Sequence, residues 1–275
     1  MSGDLGDKND GPLERGDQKI VEQHLSLRSP MVYEVVRQEG EAELERPTFS
    51  LWWSGIAAGI AMFTSVFAEG ALRMHLPDTS WRPLLENFGY SFGFVITVVG
   101  RLQLFTESTI TAVLPLLAQW SGARLIDTAR LWAVVLLANL VGAIATAALV
   151  TWAGLAPAAH VSGMLEVAHE FAANTPLEGL VLGIPAGFLV AVMVWLMPSA
   201  EGARFSIVVW LAYLIALGGF THVVVGSAEV ALLVFAGSMT PLAAAALLLP
   251  TLIGNIIGGT GLFALLAYGQ IKAEV

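Results

Sequence analysis

The hydrophobic pattern of this chain changes sharply after position 47. Uncharged stretches of 22, 35, 22 and 42 residues follow, at 47–68, 131–165, 179–200 and 230–271. A membrane-spanning helix needs about 20 consecutive apolar residues. The four stretches therefore predict four membrane-spanning helices, which we number segments 1, 3, 4 and 6 in chain order.

Two further apolar regions are long enough to cross a membrane but are interrupted by polar residues. In the first, Arg101 and Glu107 separate uncharged runs of 14 and 16 residues. In the second, His222 and Glu229 follow an apolar run over 205–221. We interpret both regions as broken helices, segments 2 and 5, each interrupted near the middle of the membrane.

The six segments form two groups of three, and the middle segment of each group is broken. A Phe-Thr dipeptide occurs at both breaks, as Phe105-Thr106 and Phe220-Thr221. A three-span half followed by a similar half has inverted topology, and discontinuous helices at matching positions are typical of transporters and channels. The predicted fold class is an all-α polytopic membrane protein with six transmembrane helices arranged as a 3+3 inverted repeat.

Composition supports this fold class and excludes several functions. The chain has 275 residues, is 56% hydrophobic and only 13% charged, and 17 of its 35 Lys, Arg, Asp and Glu residues lie before position 48. The rest is too poor in charge for a soluble enzyme. A net charge of −9 without a basic cluster excludes a nucleic-acid partner, and the lack of cysteine excludes disulfides and thiolate metal sites. We expect no enzyme activity, cofactor or metal.

The residues before the first span form an acidic region with 11 acidic and 6 basic side chains. We predict disorder over 1–17 and a short amphipathic helix near Gln18–Glu45, broken around Pro30. Basic residues number 10 on the side of the N-terminus and 2 on the opposite side, which places both termini in the cytoplasm. The predicted parts are the cytoplasmic tail 1–47, the transmembrane channel domain 48–270 and the cytoplasmic C-terminus 271–275.

Three charged residues lie inside the predicted spans: Arg101, Glu107 and Glu229. A charge at the membrane centre costs ~2.5–3.5 kcal/mol on insertion scales, so it persists where it is paired, hydrated or functional. We predict that Arg101 pairs with Glu107 or Glu229 in an intramembrane charge network that holds the unwound backbone. The alternative is that Arg101 supplies positive potential for an anion.

His222 is the only histidine within a predicted span. One interpretation is a structural histidine with its hydrogen bonds satisfied. The other is a pore histidine that donates a proton or a hydrogen bond to a permeating weak acid, because a helix break exposes backbone N–H groups that suit an anion. On this interpretation, Thr106 from the facing break holds the imidazole and fixes its tautomer.

Three sequence motifs together resemble the formate/nitrite transporter family. They are GRLQLFT at 100–106, GFTH at 219–222 and LIGNIIGG at 252–259, and they occur in that order. The resemblance covers about residues 31–270. Within the family, the chain is most similar to the YfdC-type branch.

This resemblance implies an aquaporin-like protomer and a homopentamer in the bacterial inner membrane, with one pore in each subunit. Members conduct formate, nitrite, hydrosulfide or related small monovalent anions, often with protons. By position, it implies that His222 is the central pore histidine and that Thr106 is its partner. The apolar constrictions and the neighbouring motif residues complete the expected pore set: Leu104, Phe94, Tyr90, Ile215, Phe105 and Thr221.

Two positions depart from the family pattern. Phe171 stands where transporting members usually carry a lysine, and Gly187 stands where an asparagine is expected. We therefore expect a channel or proton-coupled transporter for a small monovalent weak-acid anion, without inheriting a particular substrate. The expected partners are that anion or its protonated acid, the lipid bilayer and further copies of the chain. The alternatives are a pore for a neutral small solute and a non-conducting membrane scaffold or sensor.

Overall fold

The computed structural model describes residues 27–274 as a set of packed helices. Short 3₁₀ turns at Asn87–Tyr90 and Met197–Ser199, and π-helical turns at Val95–Val99 and Ile257–Ala264, extend or join them. In chain order the helices are α1 Ser29–Glu45, α2 Thr48–His75, α3 Arg82–Glu86, α4 Ser91–Phe94, α5 Phe105–Thr111, α6 Val113–Ala118, α7 Gly122–Ala153, α8 Ala158–Ala172, α9 Pro176–Leu196, α10 Arg204–Leu217, α11 Val223–Phe235, α12 Pro241–Ile256 and α13 Leu265–Glu274.

Four helical stretches of the described chain are long and apolar enough to cross a membrane: Thr48–His75, Gly122–Ala153, Pro176–Ser199 and Pro241–Lys272. They coincide with predicted segments 1, 3, 4 and 6. Local signals fix several of their ends. For example, a capping box between Thr175 and Glu178 starts α9, and a left-handed Gly154 ends α7.

The two interrupted regions are broken close to the predicted places. In the first, the helical stretch before the break ends with the π-helical turn at Val99. Residues 100–104 are not helical, and α5 starts at Phe105. In the second, α10 ends at Leu217 and α11 starts at Val223. Each region therefore consists of two short helices separated by five residues of irregular backbone.

The N-terminal helix α1 covers the second half of the predicted amphipathic stretch. It runs over Ser29–Glu45, with Pro30 in its first turn. Pro30 marks the start of the helix and not a break within it. Proline suits this position because it has no backbone N–H, and the N–H groups of the first turn have no partner within the helix. The predicted disorder over 1–17 and the predicted helical residues 18–26 lie outside the described residues.

Glycines allow two pairs of long helices to approach closely. A side chain at Gly59 in α2 would collide with the carbonyl oxygen of Asn139 in α7. In the same way, a side chain at Gly187 in α9 would collide with the carbonyl oxygen of Asn255 in α12. Close backbone approach at small residues is typical of helix packing in membranes. These two pairs flank the two breaks.

The outer surface of the bundle is strongly apolar. Large side chains that are more than half exposed include Leu242 at 81%, Phe49 at 74% and Trp152 at 69%. A soluble monomer rarely exposes so much contiguous apolar surface, which indicates contact with lipid or with other subunits.

Candidate pore at the two helix breaks

The first break is held by one buried asparagine from α7. The Asn139 Oδ1 atom accepts a hydrogen bond from the backbone N–H of Phe105 at 2.9 Å. Its Nδ2 atom donates to the carbonyl oxygens of Gln103 at 3.0 Å and Gly55 at 2.9 Å. One amide therefore satisfies two backbone groups of the break, the N–H of Phe105 and the carbonyl of Gln103, and joins them to Gly55 of α2.

The second break is held in the same way by Asn255 from α12. Its Oδ1 atom accepts from the backbone N–H of Val223 at 2.9 Å. Its Nδ2 atom donates to the carbonyl oxygens of Thr221 and Gly183, both at 2.9 Å. The Thr221 hydroxyl also donates to the Gly179 carbonyl at 2.8 Å, so Thr221 supports the break from α9.

The two breaks have matching backbone conformations. Arg101 and Gly219 both adopt positive φ, at 52° and 61°. When the two turns are matched, Phe105 corresponds to Val223, since each donates its backbone N–H to an asparagine. Leu104 then corresponds to His222, and each of them directly precedes the helix that follows its break. The interpretation of the shared Phe-Thr dipeptide was wrong, since Phe105 starts a helix whereas Phe220 lies within the break.

The side chains of Thr106 and His222 meet between the two breaks. Thr106 Oγ1 lies 2.8 Å from His222 Nε2, and both residues are buried. The other ring nitrogen, Nδ1, accepts a long 3.4 Å hydrogen bond from the backbone N–H of Val225. The neutral imidazole therefore carries its proton on Nε2 and donates it to Thr106, whose hydroxyl accepts.

Apolar side chains close the space around this pair. The Phe94 ring meets the His222 ring at 5.1 Å between centroids, and Tyr90 meets Phe94 at 5.4 Å. Leu104 and Ile215 are fully buried in the same apolar cluster. Of the expected constriction residues, Phe94 thus contacts His222 directly and Tyr90 contacts Phe94.

Phe105 lines neither of the two cavities described below. It packs edge-on against Trp132 with 5.8 Å between ring centroids, and it is buried. Its place as a pore residue therefore stays a prediction.

A cavity of about 580 Å³ lies on the side of α1, and we call it the first cavity. Glu39, Glu43 and Arg46 of α1 line it together with Arg101 and Glu107 of the first broken region. Burial raises the pKa of Glu43, and a hydrogen bond from Thr111 Oγ1 at 2.6 Å acts in the opposite direction. The N-terminal helix therefore forms part of the wall of this cavity.

The predicted pairing of Arg101 is wrong. Within residues 27–274, its ion pair is with Glu39 of α1, at 3.7 Å between Arg101 Nη2 and Glu39 Oε1, and its side chain is 72% exposed. Glu107 lines the same cavity, with one carboxyl oxygen buried and unbonded, but Glu229 lines a different cavity. The three residues form no single network, because the left-handed turn at Arg101 directs it to the cavity rim, where water solvates the charge.

Another cavity, of about 360 Å³, shares no lining residue with the first and lies nearer the start of α9, and we call it the second cavity. His222, Thr221 and Tyr90 line it, together with the buried carboxylates of Glu69 and Glu229. Thr106, Leu104, Phe94 and Ile215 line neither cavity. His222 therefore lines the second cavity, whereas its partner Thr106 lines neither.

The two positions that depart from the family pattern have structural explanations. The ring of Phe171 lines the second cavity and lies over Gly226 of α11, where a lysine would have placed a positive charge. Gly187 lies against the backbone of Asn255, so the structure leaves no room for an asparagine side chain there.

Sequence reasoning missed the two asparagines that hold the breaks. Asn255 enters the sequence interpretation only as part of the LIGNIIGG motif at 252–259, and Asn139 is not singled out there. A signal was present, since a lone asparagine in the middle of an apolar span is costly unless it is hydrogen bonded.

Comparisons with known proteins agree with this geometry. The family model described as Formate/nitrite transporter matches residues 30–269. The chain is 40% identical to the inner membrane protein YfdC of Escherichia coli strain K12 over 269 residues, which is 95% of this chain and 85% of that protein.

Two solved structures share the fold. An FNT family ion channel aligns with a TM-score of 0.74 at 21% identity, covering 87% of this chain and 98% of that chain. A pentameric formate channel with formate bound aligns with a TM-score of 0.69 at 19% identity, covering 82% and 98%.

The fold and site together define a membrane protein of the channel and transporter class, with two broken helices that meet at a buried histidine. The chain belongs to the formate/nitrite transporter family.

Proposed function

We propose that the protein is a channel or proton-coupled transporter for a small monovalent weak-acid anion of the formate or nitrite type. The observation that carries the proposal is the His222–Thr106 pair at 2.8 Å, placed in an apolar constriction between two cavities. A bare anion in such a constriction loses its hydration, and a donor at His222 offsets part of that cost. The family and the formate-bound structural neighbour support this substrate class.

The proposed membrane arrangement is six spans in a 3+3 inverted repeat, with both termini in the cytoplasm. The matched asparagine hydrogen bonds at the two breaks and the matched glycine contacts that flank them support the repeat. The first cavity, beside α1, then opens to the cytoplasm, and the second opens to the outside of the bacterial inner membrane. The name of the YfdC relative supports this membrane.

The proposed assembly is a homopentamer with one pore in each subunit. The pentameric structural neighbour supports it, as do the large apolar side chains on the outside of the bundle. Cross-linking of the purified protein in lipid nanodiscs should give a ladder that ends at five copies. A ladder that ends at any other number would contradict this assembly.

A pore for a neutral solute is the second candidate, and one observation favours it. Among the described residues, the second cavity is lined by no Lys or Arg but by carboxylates, among them Glu69 and Glu229. The negative charge of these carboxylates repels an anion but does not repel a neutral molecule or the protonated acid.

A flux assay in proteoliposomes tests these proposals together. Formate, nitrite, acetate, urea and glycerol would be followed at several external pH values, with empty liposomes as the control. We expect flux of the small weak acids that rises as the external pH falls. Flux of urea or glycerol alone would support the pore for a neutral solute. Absence of flux for every solute would support a non-conducting scaffold or sensor.

A further inference from the structure

Two buried carboxylates in the second cavity, those of Glu69 and Glu229, form no direct hydrogen bond or ion pair within residues 27–274. Glu69 in α2 is 5% exposed and Glu229 in α11 is 6% exposed. Both line the cavity, and neither accepts a hydrogen bond or forms an ion pair with any residue in 27–274. An ionised carboxylate that is buried without a partner is strongly unfavourable, so it calls for a ligand of opposite charge or a proton.

The basic residue closest in sequence to Glu69 is already engaged elsewhere. Arg73, one helical turn further along α2, binds Glu86 at 2.5 Å and Glu170 at 2.6 Å through the same nitrogen. Arg73 does not line the second cavity. Arg73 therefore attracts Glu69 only at a distance, while its direct ion pairs go to two other carboxylates, and it forms no bond with Glu69 or Glu229.

The remaining walls of the second cavity also favour a cation. Helix α10 ends at Leu217 beside the cavity, and the C-terminal end of a helix carries partial negative charge. The aromatic rings of Tyr90 and Phe220 line the same space, and the face of such a ring attracts a cation. The cavity therefore combines two carboxylates, a helix C-terminus and aromatic faces.

The chemistry of these walls distinguishes between kinds of cation. The described residues contain no group of three or more His, Cys, Asp or Glu side chains placed to hold a metal ion. Divalent cations require more oxygen ligands than two carboxylates provide. A small nitrogen cation, in contrast, donates N–H bonds to separate acceptors and packs against aromatic rings.

We propose that the second cavity binds a small monovalent cation of the ammonium type, held between the carboxylates of Glu69 and Glu229. The bound cation neutralises the negative charge that an anion would meet on its way to His222. The cation site does not depend on which solute the pore carries, so evidence against one of the two proposals is not evidence against the other.

Calorimetric titration of the purified full-length protein in nanodiscs tests the site. Ammonium chloride should give saturable binding, whereas tetramethylammonium chloride at equal ionic strength should give none, because it has no N–H donor. Glu69→Gln and Glu229→Gln should each weaken ammonium binding by at least about tenfold, since each removes a charged acceptor. Glu166→Gln is the matched control: Glu166 is exposed on α8 and does not line the cavity, so its removal should leave binding unchanged.

Three results would overturn the proposal. They are no saturable ammonium binding to the wild-type protein, equal binding of potassium, and binding that survives both glutamine substitutions. The comparison of cations on the wild-type protein decides the matter even where one variant does not fold. A flux assay without ammonium reports on transport alone, so failure of the site and failure of the transport proposal are distinguishable.

Discussion

Asn139 and Asn255 show how single side chains allow backbone without helical hydrogen bonds to exist inside an apolar bundle. Each amide bonds one backbone N–H and two carbonyl oxygens, with distances between 2.9 and 3.0 Å. The same chemical solution occurs at both breaks. These residues position the backbone beside His222 without touching the cavities.

Replacing either asparagine with alanine should therefore lower stability markedly. In each variant the two backbone groups of the break lose their partner, and each buried unsatisfied group costs ~1–3 kcal/mol. Thermal unfolding in detergent should show a clear drop in Tm for Asn139→Ala and Asn255→Ala. The control is Thr146→Ala, which removes only a hydrogen bond within α7, and its Tm should stay near wild type. A normal Tm in both asparagine variants would contradict this role.

At the residue scale, the sequence predicts rare polar groups well and their partners less well. His222 and Thr106 were identifiable because polar residues at a break in an apolar span are unusual. The pairing of Arg101 was not, since the direction of its side chain depends on the left-handed turn at that residue and on the docking of α1, which supplies Glu39. Charge spacing along the chain contains neither piece of information.

Helix α1 connects the N-terminal region to the first cavity. The Thr111 hydroxyl donates to Glu43, Arg46 donates to Gln103 at 2.8 Å, and Glu39 pairs with Arg101. These contacts connect α1 to the first break and to α5. Their strength should depend on pH through Glu43.

Docking of α1 should weaken as pH rises. Burial raises the pKa of Glu43 above its ordinary value of 4.5, so the docked state binds the proton more tightly than the undocked state. The resulting stabilisation is present at acidic pH and is lost as pH rises through the interval between the two pKa values. Hydrogen exchange of α1 should therefore speed up with pH by more than the chemical rate. Glu43→Gln should abolish this extra dependence.

The matched control for this prediction is Glu45→Gln, which removes an exposed carboxylate from the same helix. Its exchange should follow the wild-type pH dependence. An unchanged pH dependence in Glu43→Gln would show that another group is responsible.

The close helix contacts provide a second prediction at the scale of elements. Gly187→Ala places a methyl group against the carbonyl oxygen of Asn255, and such overpacking typically costs ~1–3 kcal/mol. We expect a lower Tm and a smaller oligomeric yield on size exclusion. Gly269→Ala in α13 has open space around it and should be neutral or slightly stabilising. Equal Tm values for the two variants would argue against close packing at Gly187.

At the scale of the whole molecule, the apolar pattern predicted much of the architecture. Span length and break position follow from the cost of placing polar groups in lipid, so they are readable from one sequence. The register between the two halves was not readable, because it depends on matched turns at Arg101 and Gly219 rather than on the repeated Phe-Thr. Cavity boundaries also required the packed structure, since Glu107 and Glu229 line different cavities.

The central claim is that His222 controls passage between the two cavities. The most direct test is formate flux into proteoliposomes at several pH values for the wild type, His222→Asn and His222→Phe, with His169→Asn as a control on the exposed face of α8. A hydrogen bond to a charged group is worth ~1.5–3 kcal/mol, so His222→Phe should reduce flux by about tenfold or more. His222→Asn keeps a donor but cannot pass a proton, so it should lose the pH dependence. Unchanged flux and unchanged pH dependence in both variants, assembled as wild type, would contradict the account.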